Sequence, residues 1–335
     1  LKVVMAFFVV FLCVSMEMPA VSAEQSPDWE NPKVTGVNRE EMHATFTPFP
    51  DEKSAKMEGA KSRFTMSLNG TWKFHWVKDP SQRPADFYKP KYDVSGWNDI
   101  PVPWNWEMRG FGVPIYSNAT YPFKKDAPKV MSEPDDKRYT AYTQRNPVGS
   151  YRRDFTIPSD WKGHDVFLNF DGVSSAYYVW INGEKVGYAE DSRLPSEFNI
   201  TKYVHPGRNM IAVEVYRWCD GSYLEDQDFW RMSGIFRNVT LTSRAPVYIR
   251  DFYVRTPFDD KYRDAILKVD LEVRNLSAKD AAASVDLLLF DATGKQVFGR
   301  LSKKGKTDGG KSATLEFSQL VKSPKQWSAE APNLY

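Results

Sequence analysis

The feature that most narrows the possible folds is a period of two, repeated in short runs, punctuated by Asn-Gly and Asp-Gly, with no convincing helical stretch between the runs. From Ser150 onward, Tyr151, Arg153, Phe155 and Ile157 alternate with Arg152, Asp154 and Thr156. Val166, Leu168 and Phe170 form another run, closed by Asp171-Gly172. Tyr178 and Trp180 lead into Asn182-Gly183, a dipeptide suited to a tight hairpin, and Glu184 to Tyr188 return from it. An earlier strand is expected over Thr71 to Val77, with Trp72, Phe74 and Trp76 on one face. Strands at this spacing predict an all-β chain built on an antiparallel sandwich of jelly-roll type.

Other segments break the pattern in distinct ways. Residues 24–62 are polar, carry prolines, and have only scattered apolar anchors (Trp29, Val34, Phe46, Phe49), so they read as an extended arm that packs on something else. Pro101 to Pro128 is dense in proline and aromatics and fits no period, as expected of a long, ordered loop. Lys129 to Pro147 is charged and reads as a solvated connection. A boundary near Ser243 to Pro246 ends the jelly roll, placed at 63–245. Over 246–335 five further strands are expected, at 251–256, 265–274, 284–290, 296–301 and 313–317. An immunoglobulin-like sandwich wants about seven, so this one reads as truncated. Trp327 to Tyr335 looks like the lead-in to a strand that would otherwise leave a sheet edge unpaired.

The first residues predict export. Val3 to Val14 is apolar but too short to span a bilayer, and Val21-Ser22-Ala23 is a plausible cleavage site, giving a signal peptide over 1–23; a membrane anchor is the alternative. Loss of that segment leaves one cysteine, Cys219, and no internal disulfide. With 45 basic and 43 acidic residues, no one-signed field points to nucleic acid or a membrane surface as partner.

The chemistry-bearing stretch is Tyr216 to Asn238, a loop of acids, aromatics and arginines between two apolar runs. Its acids, Asp220, Glu225, Asp226 and Asp228, could take a hard cation or sugar hydroxyls; the bland alternative is that each shapes a turn or pairs with Arg217, Arg231 or Arg237. Neighbours in one short loop rarely flank a glycosidic bond at the separation of about 5 to 9.5 Å that paired catalytic carboxylates need. The four histidines, His43, His75, His164 and His205, lack ligand spacing. Asn118 reads as an amide presented by the aromatic loop.

Six strings carry a resemblance: NPKVTGVNREEMH (31–43), SLNGTWKFHW (67–76), VPWNWEMRGFGVPIYSNATYPF (102–123), FDGVSSAYYVWINGEKVGYAEDSRLPSEFNIT (170–201), RWCDGSYLEDQDFWRMSGIFRNV (217–239) and WSAEAPNLY (327–335). Together they resemble the N-terminal third of the large β-galactosidases of glycoside hydrolase family 2. SRLPSEF and DGSYLEDQD set this group apart from the β-glucuronidase and β-mannosidase branches. The resemblance implies a galactose-binding-like jelly roll, then an immunoglobulin-like domain, with the TIM barrel and its two catalytic glutamates absent, so this chain holds no catalytic residue. It further implies that Asn118 and Asp220 reach a barrel's active site, Asp220 touching the galactosyl 6-hydroxyl and a sodium ion. Magnesium in the full-length enzyme, a β-galactoside substrate, a missing C-terminal barrel portion and a tetramer or dimer, assembled partly through the arm, are implied in the same way. Cys219 stands where the group commonly has serine, and sensitivity to oxidation is the expected change. The rival reading is a stand-alone carbohydrate-binding sandwich, with exposed aromatics at 104–123 and 223–230 stacking on sugar rings.

Overall fold

A computed structural model describes residues 26–335 except 58, 118–120, 126–128, 135–136, 139 and 226. The expected signal segment, Asn118 and Asp226 therefore lie outside the described residues. No helix among the described residues is long and apolar enough to cross a membrane.

The larger sandwich is all antiparallel. Its seven-stranded sheet runs Gly36–Val37, Glu184–Ala189, Ala176–Ile181, Gly207–Tyr216, Val148–Ile157, Gly70–Val77, Asn98–Val102. Its four-stranded sheet runs Ser196–Asn199, Asp165–Phe170, Val239–Arg244, Thr65–Ser67. Trp72, Phe74, Val179 and Val213 from the first sheet meet Leu168, Phe170, Phe198 and Leu241 from the second in one core, as the period-two runs require. The Asn182-Gly183 hairpin forms as expected, both residues at positive φ (53° and 92°), the geometry of a type I′ turn.

Simple alternation fails where the seven-stranded sheet is covered on its second face too. All residues from Asn209 to Tyr216 are buried. Phe87 packs there with Trp180, Met210 and Ala212. Arg152, expected on the solvent side, is buried and donates from Nη1 to the carbonyls of Phe87 (3.2 Å), Lys89 (3.3 Å) and Tyr92 (2.8 Å), pinning that cover down. Arg153 is the more exposed of the pair and donates to the carbonyls of Leu68 (2.6 Å) and Asn69 (2.7 Å). The 129–147 connection is likewise not simply solvated. Val130, Ala141 and Asn146 are buried, because the arm and the aromatic loop close over this end of the sheet with Trp29, Phe123 and Trp218.

The arm is held along its length. Trp29 stacks on Tyr216 at 5.2 Å between centroids. Gly36–Val37 adds an edge strand opposite Ala189 and Tyr188. Farther on, His43 meets Glu197 (2.9 Å), and Ala44 donates its N–H to Asp251 of the second sandwich (2.7 Å).

That second sandwich has a three-stranded sheet, Val247–Arg255, Ala265–Asn275, Ser312–Val321, and a two-stranded one, Ala281–Leu287 with Leu301–Thr307. Leu267, Val269, Leu271, Val285 and Phe317 form its core. One expected strand is shifted: of 296–301 only the Gln296 bridge to Phe290 and Leu301 are paired, and the strand is Leu301–Thr307. The exposed Lys303 and Lys304 disguise it, although Lys303 lies opposite Val285 with its Nζ over the Phe317 ring (5.8 Å), while Gly305 lies so close to Leu315 that a Cβ would come within 2.9 Å of the leucine side chain.

Candidate functional site

The loop from Tyr216 to Asn238 leaves the centre of the seven-stranded sheet at the end of Gly207–Tyr216. Its first residues are clamped. Arg217 donates its N–H to the Pro147 carbonyl (2.9 Å), and fully buried Asn146 brackets Trp218, accepting from its N–H (2.9 Å) and donating to its carbonyl (2.9 Å). The Arg217 guanidinium is buried, 3.7 Å from Glu107, and donates to the carbonyl of Val113 (2.8 Å). Glu107 in turn accepts the Ser233 N–H (2.9 Å), so both ends of the loop close on one ion pair. The pair is not fully satisfied, since Glu107 Oε1 and Arg217 Nε are buried without hydrogen-bond partners, so removing either charge would leave the other uncompensated.

Asp220 opens a 3-10 turn, Asp220–Tyr223, whose start is fixed by Cys219 donating its N–H to Ser222 Oγ (3.0 Å) and accepting the Ser222 N–H at its carbonyl (2.9 Å). The turn puts Asp220 indoors at 8% exposure, with Oδ2 buried and lacking a hydrogen-bond partner. Beside it stands Glu190, a residue the sequence reading did not single out. Ligand-capable atoms of Glu190, Cys219 and Asp220 lie within 4.8 Å of one another, the single such grouping among the described residues. Glu190 accepts the Tyr188 hydroxyl, its N–H goes to the Thr35 carbonyl (3.2 Å), and its carbonyl receives Arg39 Nη1 (3.3 Å), so the arm positions it. Burial, then the hydrogen bond with Asp220 and the charges of Asp220 and Glu225, push its carboxyl up to about 8 against the pull of the tyrosine hydroxyl. At neutral pH Glu190 is therefore mainly the neutral carboxylic acid. The only forewarning in sequence is an acid, Glu190, directly after the apolar strand Glu184–Ala189.

Two of the other loop acids shape the loop, and Arg231 Nη1 donates to the Glu225 carbonyl (3.4 Å). Glu225 accepts the N–H and Oγ of Ser192 (2.9 and 2.7 Å), and Asp228 accepts the Tyr116 hydroxyl. Arg237 donates to the Arg193 carbonyl (2.8 Å). Tyr121 donates to the Tyr223 carbonyl (2.7 Å), and Trp230–Arg231 pairs with Ile115–Tyr116, joining the aromatic loop to the acid loop. Trp104, Tyr116 and Trp230 remain about half exposed along this rim.

Cys219 corrects a second expectation. It is fully buried, and burial followed by the charge of Glu190 holds its thiol far above the usual range, so the reactive thiolate is suppressed and oxidation is not favoured. Asp220 and Glu190 offer carboxyl oxygens, the donor type that oxygen-seeking cations take, whereas a buried, protonated thiol is a poor ligand for them.

Residues 65–245 match the family model described as "Glycosyl hydrolases family 2, sugar binding domain", and residues 247–335 match "Glycosyl hydrolases family 2". The chain is 42% identical over 312 residues to a beta-galactosidase of Priestia megaterium and 38% identical over 317 residues to one of Psychromonas ingrahamii. Each match takes in 92% of this chain and 29% of the relative, so the chain spans under a third of the length of these curated relatives. Among solved structures, a Bacteroides uniformis beta-glucuronidase (TM-score 0.63, 21% identity, 80% of this chain and 29% of that one) and a Bacteroides vulgatus beta-glycosidase (TM-score 0.56, 24% identity, 80% and 30%) share the fold. At such identity the likeness concerns the fold alone. The SRLPSEF and DGSYLEDQD strings, the jelly-roll and immunoglobulin-like sandwiches, and a sugar-binding-domain match over more than half of the residues agree: the chain belongs to glycosyl hydrolases family 2.

Proposed function

We propose that this chain is the front portion of an exported, retaining β-galactosidase, in which residues 24–62 are an assembly arm, 63–245 the jelly roll and 246–335 the second sandwich. The jelly roll completes the galactose subsite of a barrel supplied by the remainder of the protein. The observation that carries the reading is the buried carboxylate of Asp220, with Oδ2 unsatisfied, on a loop clamped at both ends. An orphaned buried carboxylate oxygen costs on the order of 1–3 kcal/mol unless a ligand fills it. A sodium ion and a sugar hydroxyl are such ligands, and Asp220 would hold both, with Glu190 fixing its orientation and Asn118 reaching in from the aromatic loop. Sodium supplies charge compensation there when bound. Magnesium, a homo-oligomeric assembly and removal of residues 1–23 on export complete the reading, which rests for these on the resemblance to the β-galactosidases.

On this reading the chain alone has neither acid/base nor nucleophile. Residues 24–335 are expected to show no turnover of a chromogenic β-galactoside, and useful activity would sink the idea. In the full-length protein Asp220→Asn is expected to weaken substrate binding and blunt the response to sodium; unaltered sodium dependence refutes the role of Asp220.

The half-exposed rim of Trp104, Tyr116 and Trp230 favours a second reading, a sugar-binding module without catalysis. Galactose titration followed by tryptophan fluorescence separates the two, since millimolar or tighter binding by the isolated chain favours the module.

A further inference from the structure

A cavity of about 790 Å³ opens where the arm, the jelly roll and the second sandwich meet. Four cations line it, Arg39, Lys202, Arg250 and Arg274, against three acids, Glu40, Glu41 and Glu272. The acids do not cancel them. A single oxygen of Glu40 is shared by two guanidiniums, Arg274 Nη1 at 3.2 Å and Arg250 Nη2 at 3.5 Å, while Glu272 accepts the Ser312 hydroxyl and, among the described residues, forms no ion pair with any of the four cations. Arg250 is 4% exposed; its Nη2 donates to the Glu41 carbonyl (2.8 Å), while Nη1 is buried with no hydrogen-bond partner. A buried guanidinium with an idle donor and half of a carboxylate is under-compensated.

Two neutral groups of the wall are engaged elsewhere. Asn38 donates to the Val186 carbonyl (2.8 Å), and Asn199 accepts the Thr201 N–H (3.0 Å). What remains is chiefly cationic donors. A neutral sugar would want an aromatic face, yet the one ring here, Tyr203, has Lys202 Nζ over it at 4.8 Å. A metal ion would meet four cations against three acids. The geometry points to a small oxyanion, a phosphate, sulfate or carboxylate group, seated among Arg39, Lys202, Arg250 and Arg274. Planar guanidiniums pair with such groups through two parallel hydrogen bonds, and the cleft has room for a sugar carrying the anion. It is separate from the galactose subsite proposed above and would survive the failure of that reading.

The test uses the full chain at low, matched ionic strength, because exposed parts of the cleft are screened by salt. Inorganic phosphate, glucose 6-phosphate and glucose are titrated by calorimetry, with sodium chloride as control. Saturable phosphate binding at about millimolar concentration is expected, with none for glucose. At least tenfold tighter binding of glucose 6-phosphate assigns the site to a phosphorylated sugar, and equal binding assigns it to the free anion. Lys202→Glu, at an exposed position, and Arg274→Met are each expected to weaken phosphate binding at least tenfold. Should Arg274→Met not fold, Lys202→Glu decides. Binding reproduced by chloride, or undiminished in Lys202→Glu, overturns the proposal.

Discussion

Replacing Asn146 by alanine removes the two hydrogen bonds that bracket Trp218 and leaves the backbone N–H and carbonyl of a 5%-exposed residue without partners. Each buried group so orphaned costs about 1–3 kcal/mol, so the substitution should destabilise the larger sandwich by about 2–6 kcal/mol. For a domain of this size that is a fall of roughly 4–24 °C in unfolding midpoint. The assay is urea unfolding by tryptophan fluorescence, with hydrogen exchange over 217–224 to show whether the Asp220 turn frays. A control sharpens it. Asn146→Asp keeps the acceptor for the Trp218 N–H but replaces the donor with a buried carboxyl, whose folded pKa must lie above its unfolded one. Its stability is then complete below about pH 4 and is lost as pH rises toward the folded value, whereas the alanine variant shows no such slope. A midpoint for Asn146→Ala within about 0.5 kcal/mol of the native chain, at unchanged urea dependence, would refute the claim that this amide holds the loop.

Further outcomes follow from the same geometry. Glu190 is raised to about 8 in the folded chain, so its contribution is present below its unfolded value and declines between there and about pH 8; thermal unfolding against pH should show that slope, and Glu190→Gln should flatten it. Gly187→Ala would set a Cβ 2.3 Å from the Val37 carbonyl and 2.7 Å from the Phe198 ring, so it should cost about 1–3 kcal/mol and expel the Gly36–Val37 edge strand, seen as faster proteolysis within the arm. Cys219 should resist a thiol reagent in the native chain and react only at the rate of unfolding; rapid native labelling contradicts its burial.

The alternation of Tyr151, Phe155 and Ile157, the Asn182-Gly183 turn and the runs flanking the acid loop determined an all-β sandwich, because period and turn chemistry are local properties of a chain. They also located Asp220 and its loop, and the strings around them carried the family. Local pattern could not say that the seven-stranded sheet is covered on both faces. Arg152 looks like a solvent-side residue until Phe87 and Tyr92, sixty or more positions earlier, turn their carbonyls toward it. Nor could it reveal Glu190, which reads as one more acid at a strand end. What makes it consequential is the meeting of its own hairpin, through Tyr188, with two distant segments, Thr35 of the arm and Asp220 of the loop. The charges of individual residues are written in the sequence, but burial and neighbours decide which of them are compensated, and only the tertiary structure brings those neighbours together.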